Sequence, residues 1–403
     1  MRILHVLSQR PLLTGSGITL DAMTRNAASS GWEQQVAVGV PDDDPSPTVG
    51  ELDPDRIHPL HFGEPPLAFA VPGMSDVMPY PSTRFSDLDE EQVSAYRRAW
   101  AEHLRPILAT FRPQLIHSHH LWLLSALLKD LAPETPIVTQ CHATGFRQME
   151  LCPHLAEGVR AGCARNERFL VLHTGDGERL RRCLGVGSRR VATVGAGYRD
   201  DLFRAAGRDP NTTPALVFVG KLSNAKGLPW LLDAFERLQR GRPDLVLHVA
   251  GSGAGAEADA LRTRMTAMAP AVVHHGQLGQ RPLAELMRRV TVCVLPSFYE
   301  GLPLVLVEAM ACGCRLVATA LPGIEGELAP ALGEGLETVA LPGFESVDKP
   351  RPDDLPAFVE RLTAAIDRAL DATPLRMTPR TALEPFTWGA VFARVEAVWR
   401  ELV

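Results

Sequence analysis

The sequence predicts an α/β protein with two doubly wound, Rossmann-like parallel-sheet domains in tandem. Short apolar strands alternate with helical patterns twice along the 403 residues. Continuously apolar strands that are separated by helices indicate parallel sheets covered on both faces. With 45% hydrophobic residues, the chain is long enough to bury two such cores.

Six strands are predicted in each half of the chain. Those of the first half are Ile3–Leu7, Val36–Val40, Leu115–Ser118, Ile137–Gln140, Phe169–His173 and Val191–Val194. Those of the second half are Leu216–Val219, Leu245–Ala250, Val272–His275, Val292–Leu295, Leu316–Thr319 and Thr338–Leu341. In open parallel sheets, ligands bind at the carboxyl ends of the strands, so we expect the site in a central cleft that the two domains face.

The polar, irregular segment Gly195–Pro214 is the predicted join between the domains. We therefore expect one domain over residues 1–200 and a second over 201–380. The terminal segment 381–403 carries an apolar stripe of helical spacing that includes Val391, Val395 and Trp399.

The segment from Pro41 to Pro81 holds ten of the thirty-three prolines. This density predicts a long loop or a set of turns without regular ladder or helix hydrogen bonds. For the wider region 41–95, two roles stay open: it could shape a substrate pocket or cover one.

Composition and charge exclude several classes of protein. The formal net charge is −6, so no overall basic field predicts a nucleic-acid partner, and any phosphate binding must be local. Seven cysteines without a CxxC pair, and a start too short for a signal peptide, predict a cytoplasmic protein with reduced thiols. No apolar run is long enough for a transmembrane segment. Peripheral contact with the inner membrane surface stays open through basic stretches at 97–112 and 179–190, although such runs are usually solvated faces.

Two carboxylates stand eight positions apart after the predicted strand Val292–Leu295. Glu300 lies in the connecting loop, and Glu308 lies inside an otherwise apolar helix that follows Pro303 and ends near Gly313. An ionised carboxylate in apolar surroundings costs several kcal/mol unless it is paired or hydrogen-bonded. We therefore expect Glu308 to face a polar ligand, while a core helix with one exposed acid is the competing explanation.

Three glycine-containing turns and one histidine follow other strands. Lys221 and Lys226 flank a turn that begins at Gly220 and precedes a helix N-terminus, an arrangement suited to phosphate although it does not match the P-loop. The turn Gly15-Ser16-Gly17 precedes a predicted helix over Ile18–Ala28, where it could let the backbone approach an anion closely or be a plain strand-to-helix turn. Gly251, Ser252 and Gly253 form a further glycine turn after a predicted strand. His142 follows Ile137–Gln140, where it could contact a sugar or a reacting hydroxyl.

Three other site types are disfavoured by the residues. The Gly251–Ala256 run fits a dinucleotide fingerprint, but no acid follows the next strand to hold a ribose. Asp42, Asp43 and Asp44 lie in the proline-rich loop without further ligands. The spacings of Cys141, His142, Cys152, His154 and Cys163 fit no zinc-finger pattern, so no metal is predicted.

Taken together, these motifs resemble the GT-B fold retaining glycosyltransferases of family 4. The resemblance rests on the Gly220–Gly227 segment, the turn Gly251–Gly253, and above all the E-x7-E motif within Pro296–Gly313. It is specific in the second domain and weaker, but present, over most of the first. It implies two Rossmann-like domains that face a cleft, with a C-terminal helix that crosses back onto the first domain.

The resemblance also implies roles for individual residues. Glu308 would bind the nucleotide ribose, Glu300 the hydroxyls of the transferred sugar, and Lys221 and Lys226 the diphosphate. His142 would contact the sugar near the reacting centre. The remaining donor contacts would come from the Gly15–Gly17 turn, Gln277 and Leu278 near the base, and the start of the helix at Gly301, Leu302, Pro303 and Leu304.

The expected activity is sugar transfer from a nucleotide-sugar donor, with a uridine diphosphate sugar favoured, to a small-molecule, lipid-linked or glycan acceptor. Retention of configuration and no cofactor or metal are expected, with the first domain on the acceptor side. Two further kinds of function stay open. One is a GT-B-like nucleotide-sugar epimerase or a phosphorylase, and the other is a non-catalytic nucleotide-sugar-binding protein.

Overall fold

The computed structural model describes residues 1–44, 47–76, 78–208, 214–372 and 380–403. The chain forms two compact units. Unit 1 comprises Met1–Ala196 together with Trp388–Val403, and unit 2 comprises Gly197–Thr387. Within the predicted join, residues 209–213 lie outside the described residues.

The strands and helices are numbered in chain order. The strands are β1 Arg2–Leu7, β2 Glu33–Pro41, β3 Ile57–Phe62, β4 Pro72–Gly73, β5 Thr83–Arg84, β6 Leu115–His119, β7 Ile137–Gln140, β8 Arg168–Val171, β9 Val191–Thr193, β10 Ala215–Val219, β11 Val246–Ala250, β12 Val272–His274, β13 Val292–Leu295, β14 Arg315–Thr319, β15 Leu336–Val339, β16 Phe344–Ser346 and β17 Lys349–Pro350. The helices are α1 Gly15–Ser29, α2 Glu90–Phe111, α3 Leu123–Leu131, α4 Thr144–Leu151, α5 Pro153–Cys163, α6 Thr174–Leu184, α7 Leu228–Gln239, α8 Ala256–Ala267, α9 Gln280–Met287, α10 Leu304–Ala311, α11 Ala329–Leu332, α12 Leu355–Asp371, α13 Arg380–Leu383 and α14 Trp388–Arg400. Among the described residues, no helix is both long enough and apolar enough to span a bilayer.

Unit 1 is built on a parallel sheet with the strand order β3-β2-β1-β6-β7-β8-β9. The order reverses between β1 and β6, and the crossover helices cover both faces. The central strands are fully buried, which explains why they read as continuous apolar runs in the sequence. Several polar residues on these strands are buried as well, among them the histidines His5 on β1 and His117 and His119 on β6.

The prediction of a ladder-free loop from Pro41 to Pro81 is wrong for Pro72–Gly73, which pairs with β5, and above all for Ile57–Phe62. The latter residues form β3, which pairs in parallel with β2 and places Pro59 opposite Val38. The strand tolerates Pro59 because β3 is the outermost strand, where a missing N–H need not leave a neighbouring strand without a donor. Proline density alone therefore did not exclude an edge strand.

The terminal helix α14 packs on unit 1. Its Trp399 is fully buried and meets the ring of Trp32 edge-on at a centroid distance of 5.2 Å. The indole Nε1–H of Trp32 donates to the Glu396 carboxylate at 2.9 Å. The apolar stripe seen in the sequence is thus the face of α14 that covers the sheet.

Unit 2 repeats the architecture with six parallel strands in the order β12-β11-β10-β13-β14-β15. Here the order reverses between β10 and β13, so the loops after these two strands flank the topological switch point. Helices α7 and α12 contribute Phe235 and Phe358 to the core beneath this sheet. The loops that carry both predicted lysines and both predicted glutamates follow β10 and β13.

Replacing Trp399 with alanine should destabilise unit 1 strongly. The substitution removes a fully buried indole that contacts Trp32, His5 and His117, so we expect a loss of about 3–5 kcal/mol in the free energy of unfolding. Chemical denaturation followed by tryptophan fluorescence and circular dichroism measures the change. Val403→Ala, at an exposed position of the same segment, is the control, and equal stabilities for the two variants would contradict this packing role.

Candidate functional site

The loops that follow β10 and β13 are held together by close backbone contact. The N–H of Phe298 donates to the carbonyl of Ala225 at 2.9 Å. Gly227 has φ +72°, and a Cβ at this position would lie 2.0 Å from the carbonyl oxygen of Pro296. Only glycine fits this approach, so the two loops have a fixed mutual position.

The turn after β11 joins the same assembly. A Cβ on Gly251, which has φ +149°, would lie 1.8 Å from the carbonyl oxygen of Gly220. The N–H of Gly251 donates to Gly276 at 2.8 Å, and that of Leu222 donates to the carbonyl of Ser252 at 3.1 Å. The glycines of this turn therefore allow neighbouring backbones to touch. The loops after β10, β11 and β12 lie in contact at the carboxyl ends of these strands.

Two of the predicted charged residues meet at the carboxyl ends of the unit 2 strands. The ammonium of Lys226 lies 2.5 Å from a carboxylate oxygen of Glu300, and both side chains are largely shielded from solvent, with 24% and 14% exposed. Lys226 comes from the loop after β10 and Glu300 from the loop after β13, so the pair bridges the switch point of the sheet. Shielding from solvent strengthens the Coulomb attraction between the two groups, and the contact orients both of them.

Glu308 lies in the second turn of α10, as the sequence predicts. Among the described residues, no side chain or backbone group lies within hydrogen-bond or ion-pair distance of its carboxylate. Burial raises the pKa of Glu308 from 4.5 to about 7. The helix ends where Gly313 takes φ +90°, a conformation that favours glycine. A half-buried acid without a partner is the kind of group that a polar ligand would satisfy.

The remaining residues predicted in unit 2 follow the same strand ends. Lys221 is partly exposed directly after Gly220, and Gln277 is exposed after β12, where its amide oxygen accepts from the Ser252 hydroxyl at 3.5 Å. Gly253 packs against Leu222 and Ala258. The other predicted members lie at or near the start of α10 and in the loop after β12: Gly301, Leu302, Pro303, Leu304 and Leu278.

The Gly15–Gly17 segment is not a turn that precedes a helix, as predicted, but the first turn of α1 itself. Thr14 caps this helix by accepting a hydrogen bond from the Gly17 N–H at 3.2 Å, while the Ser16 hydroxyl donates to Gln9. A Cβ on Gly17 would lie 2.5 Å from the backbone nitrogen of Leu12. The glycine is thus needed for close packing of the preceding loop, and its N–H is already used by the cap.

His142 stands in unit 1 directly after β7, at the sheet edge where the sequence places it. Its Nε2 lies 3.1 Å from Nδ1 of His119, and the planes of the two rings are nearly parallel, with an interplanar angle of 14°. Burial lowers the pKa of His142 to about 4, so the ring is neutral near pH 7. The following residue, Ala143, has φ +63°, which is strained for a residue with a Cβ.

The histidines around His142 were not predicted as site residues. The His119 ring lies nearly parallel to the rings of His117 and His142, while His120 lies 4.9 Å from the His142 ring and hydrogen-bonds to Thr144. His119 and His120 follow the predicted strand Leu115–Ser118 much as His142 follows the predicted strand Ile137–Gln140. The same strand-end argument could therefore have identified them.

The predicted site residues fall into two sets. His142, Gly15, Ser16 and Gly17 belong to unit 1, and the lysines, the glutamates and the other glycines belong to unit 2. Within unit 2 the structure brings Lys226 and Glu300 into contact, and it links the turns at Gly220 and Gly251.

Comparison with protein-family models gives two matches that together span most of the chain. Residues 14–197 match a family described as glycosyl transferase 4-like domain. Residues 213–338 match the family of glycosyl transferases group 1. The first match lies in unit 1, and the second lies in unit 2 and contains all four predicted charged residues.

Curated relatives carry related names. A glycogen synthase of Mycobacterium tuberculosis is 28% identical over 53% of this chain and 54% of its own length. A D-inositol 3-phosphate glycosyltransferase 1 of Catenulispora acidiphila is 26% identical over 72% of each chain. The chain thus spans about half the length of the glycogen synthases that it matches.

Solved structures show the same fold over the full chain. Sucrose-phosphate synthase of Thermosynechococcus elongatus aligns with a TM-score of 0.73 at 19% identity, covering 100% of this chain and 99% of that one. A structure described as trehalose-6-phosphate from E. coli bound with UDP-2-fluoro glucose aligns with a TM-score of 0.70 at 16% identity, covering 99% and 98%. These alignments confirm the predicted class, a GT-B fold with two Rossmann-like parallel-sheet domains.

Replacing Glu308 with glutamine should stabilise the protein, and more so at higher pH. The folded state raises the pKa of Glu308 from 4.5 to about 7, so ionising the carboxyl above pH 7 costs folding free energy that an amide avoids. We expect a gain of about 1–3 kcal/mol at pH 8 that shrinks between pH 7 and pH 4.5 and vanishes below. Urea denaturation at pH 4, 6 and 8 measures it. Glu325→Gln, at an exposed position, should show no such trend, and a pH-independent gain for Glu308→Gln would refute the burial argument.

Proposed function

Because the chain belongs to the glycosyl transferases of group 1, within glycosyltransferase family 4, we propose that it is a nucleotide-sugar-dependent glycosyltransferase. It moves a hexosyl-type sugar from a nucleoside-diphosphate donor, with uridine diphosphate favoured, to a small-molecule, lipid-linked or glycan acceptor. The observation that carries the proposal is the Lys226–Glu300 ion pair at the β10/β13 switch point, on the same β13–α10 segment as the unpartnered acid Glu308. The uridine preference is supported by the solved relative that is described as bound with UDP-2-fluoro glucose.

The donor-side roles follow from charge and position. Lys221 and Lys226 supply positive charge beside the helix α7 N-terminus, which suits a diphosphate. The backbone N–H groups of Leu302 and Leu304, at the start of α10, suit the same kind of ligand because the N-terminal end of a helix favours negative charge. Glu308 accepts hydrogen bonds from the two ribose hydroxyls, which satisfies a half-buried carboxylate that otherwise has no partner among the described residues.

Glu300 contacts the hydroxyls of the transferred sugar. Its carboxylate is oriented by the Lys226 ammonium, so the group that binds sugar and a group that binds phosphate are positioned by the same contact. Placing both on loops that are locked by Gly227 keeps their separation constant. The ion pair thus links recognition of the sugar to stabilisation of the leaving group.

The proposed reaction proceeds with retention of configuration. The bond between the anomeric carbon and the diphosphate oxygen breaks, and a bond to the acceptor oxygen forms on the same face of the sugar. The acceptor hydroxyl proton passes to the departing phosphate oxygen, so no protein carboxylate acts as nucleophile. Lysine charges and helix N-termini stabilise the developing phosphate charge in place of a metal ion.

A panel of nucleotide sugars tests the proposal. Isothermal titration calorimetry should detect binding of at least one donor, and the bound donor should be turned over slowly to free nucleoside diphosphate. Addition of EDTA, which removes metal ions, should leave this rate unchanged, because side chains and not a metal neutralise the charge on the departing diphosphate. Absence of binding at millimolar concentrations of every donor would overturn the proposal, and binding without diphosphate release would instead indicate a non-catalytic binding protein.

Donor binding should depend on pH through Glu308. If ribose is held by the ionised carboxylate, protonation with a pKa of about 7 competes with the donor, so the Kd at pH 6 should be about tenfold higher than at pH 8. Glu308→Gln should raise the Kd by about tenfold or more at pH 8 and remove the pH dependence. Glu325→Gln is the matched control and should behave like the wild type. A Glu308→Gln variant with unchanged donor affinity would refute the ribose role.

A further inference from the structure

A row of histidine rings lies buried in unit 1 and ends at His142. His5 on β1 and His117 on β6 are register partners, and His119 lies two residues further along β6, so the three side chains share one face of the sheet. The ring centroids are 5.6 Å apart between His5 and His117, 4.8 Å between His117 and His119, and 5.4 Å between His119 and His142.

The geometry does not favour a metal site in this row. Ligand atoms of His5, His117 and His119 lie within 4.8 Å of one another, a grouping that by itself would suggest chelation. However, the rings of His117 and His119 are nearly parallel, with 17° between their planes. The lone pairs of an imidazole lie in the ring plane, so those of two stacked rings run side by side and do not converge on one ion.

The tautomers of His119 and His142 are coupled by their hydrogen bond. One of the two nitrogens, Nδ1 of His119 or Nε2 of His142, must carry the proton. The other nitrogen of His119, Nε2, is buried and has no partner among the described residues. If His119 were protonated there, it would bury an N–H without an acceptor, the rarer and less tolerated kind of unpaired group.

We propose that His119 is a positioning residue that fixes His142 as its Nδ1–H tautomer. His119 donates from Nδ1, so Nε2 of His142 is the acceptor and the proton of His142 resides on Nδ1. His142 then presents an N–H donor, and not a lone pair, to a sugar or acceptor oxygen. The inference rests on the proposed function, since it concerns how the predicted sugar-contacting residue is oriented.

The electrostatics of the row agree with this assignment. Burial and the neighbouring rings hold the pKa of His119 well below its usual value, and burial lowers that of His142 to about 4. Both rings are therefore neutral at physiological pH. The tautomer, and not the charge, then decides whether His142 presents an N–H donor or a lone pair. A neutral donor suits the proposed reaction, in which the departing phosphate takes the acceptor proton and no side-chain base is needed.

Long-range ¹H–¹⁵N correlation spectra of the histidine rings test the tautomer directly. At pH 7.5 the wild type should show His142 with a protonated Nδ1 and an unprotonated Nε2. His119→Asn keeps an amide N–H near the position of Nδ1 and should preserve this pattern. His119→Leu removes the donor, and the His142 signals should shift toward the Nε2–H form that free histidine prefers in water.

His120→Asn is the matched control. His120 also touches the His142 ring, but its own hydrogen bond goes to Thr144, and asparagine tolerates its φ of +70°. This variant should leave the His142 tautomer unchanged. An Nε2–H form of His142 in the wild type, or an unchanged tautomer in His119→Leu, would overturn the proposal. The wild-type spectrum decides even if a variant fails to fold.

Kinetics supply the second measurement. His119→Leu should lower kcat/KM by about tenfold, the loss expected for one hydrogen bond, while His119→Asn should recover most of it. Binding of the nucleoside diphosphate alone should stay unchanged, because His142 is assigned to the sugar. An altered tautomer with unchanged kcat/KM would overturn the positioning role and leave the transferase proposal intact. If no donor is turned over, the proposed function fails, and the spectra still decide the tautomer.

Discussion

The close backbone contact between the loops after β10, β11 and β13 is the constraint on which the rest of the candidate site depends. A side chain at Gly227 or Gly251 would collide with a carbonyl oxygen of the neighbouring loop. Because these glycines let the loops touch, Lys226 and Glu300 reach each other across the switch point of the sheet. The charges are thus oriented by the backbone of a rigid edge, which lowers the entropy cost of holding them in place.

Unit 1 places polar rings where a parallel sheet normally has aliphatic side chains. The histidines of the row are buried and neutral, and several of their nitrogens have no partner among the described residues. Such groups cost stability, so their position next to His142 is best explained by a contribution to that residue. Trp399 of α14 packs edge-on against His5 and His117, which ties the C-terminal helix to the same row.

Much of the fold could be predicted because parallel strands covered on both faces are continuously apolar, and twelve such runs alternate with helices. The main failure, β3, shows the limit of the argument. Its sequence Ile57-His58-Pro59-Leu60-His61-Phe62 contains a proline and two histidines, and only its place at the sheet edge makes that composition tolerable. Helix α1 begins at Gly15 and not after Gly17, because its N-cap is Thr14 and the two glycines lie in its first turn.

For the candidate site, the sequence by itself determined the residue types and their places at strand ends. Glu300 and Glu308 are conspicuous because charged residues are rare in an apolar segment. Whether a residue follows the carboxyl end of a strand can also be predicted from the neighbouring sequence alone. Only the tertiary structure decided which side chains meet: Lys226 pairs with Glu300 although 74 positions separate them, and His119 bonds His142 across neighbouring strands. It also decided that Glu308 has a pKa of about 7. Pairing and desolvation depend on distances between segments remote in sequence, and no local pattern encodes those distances.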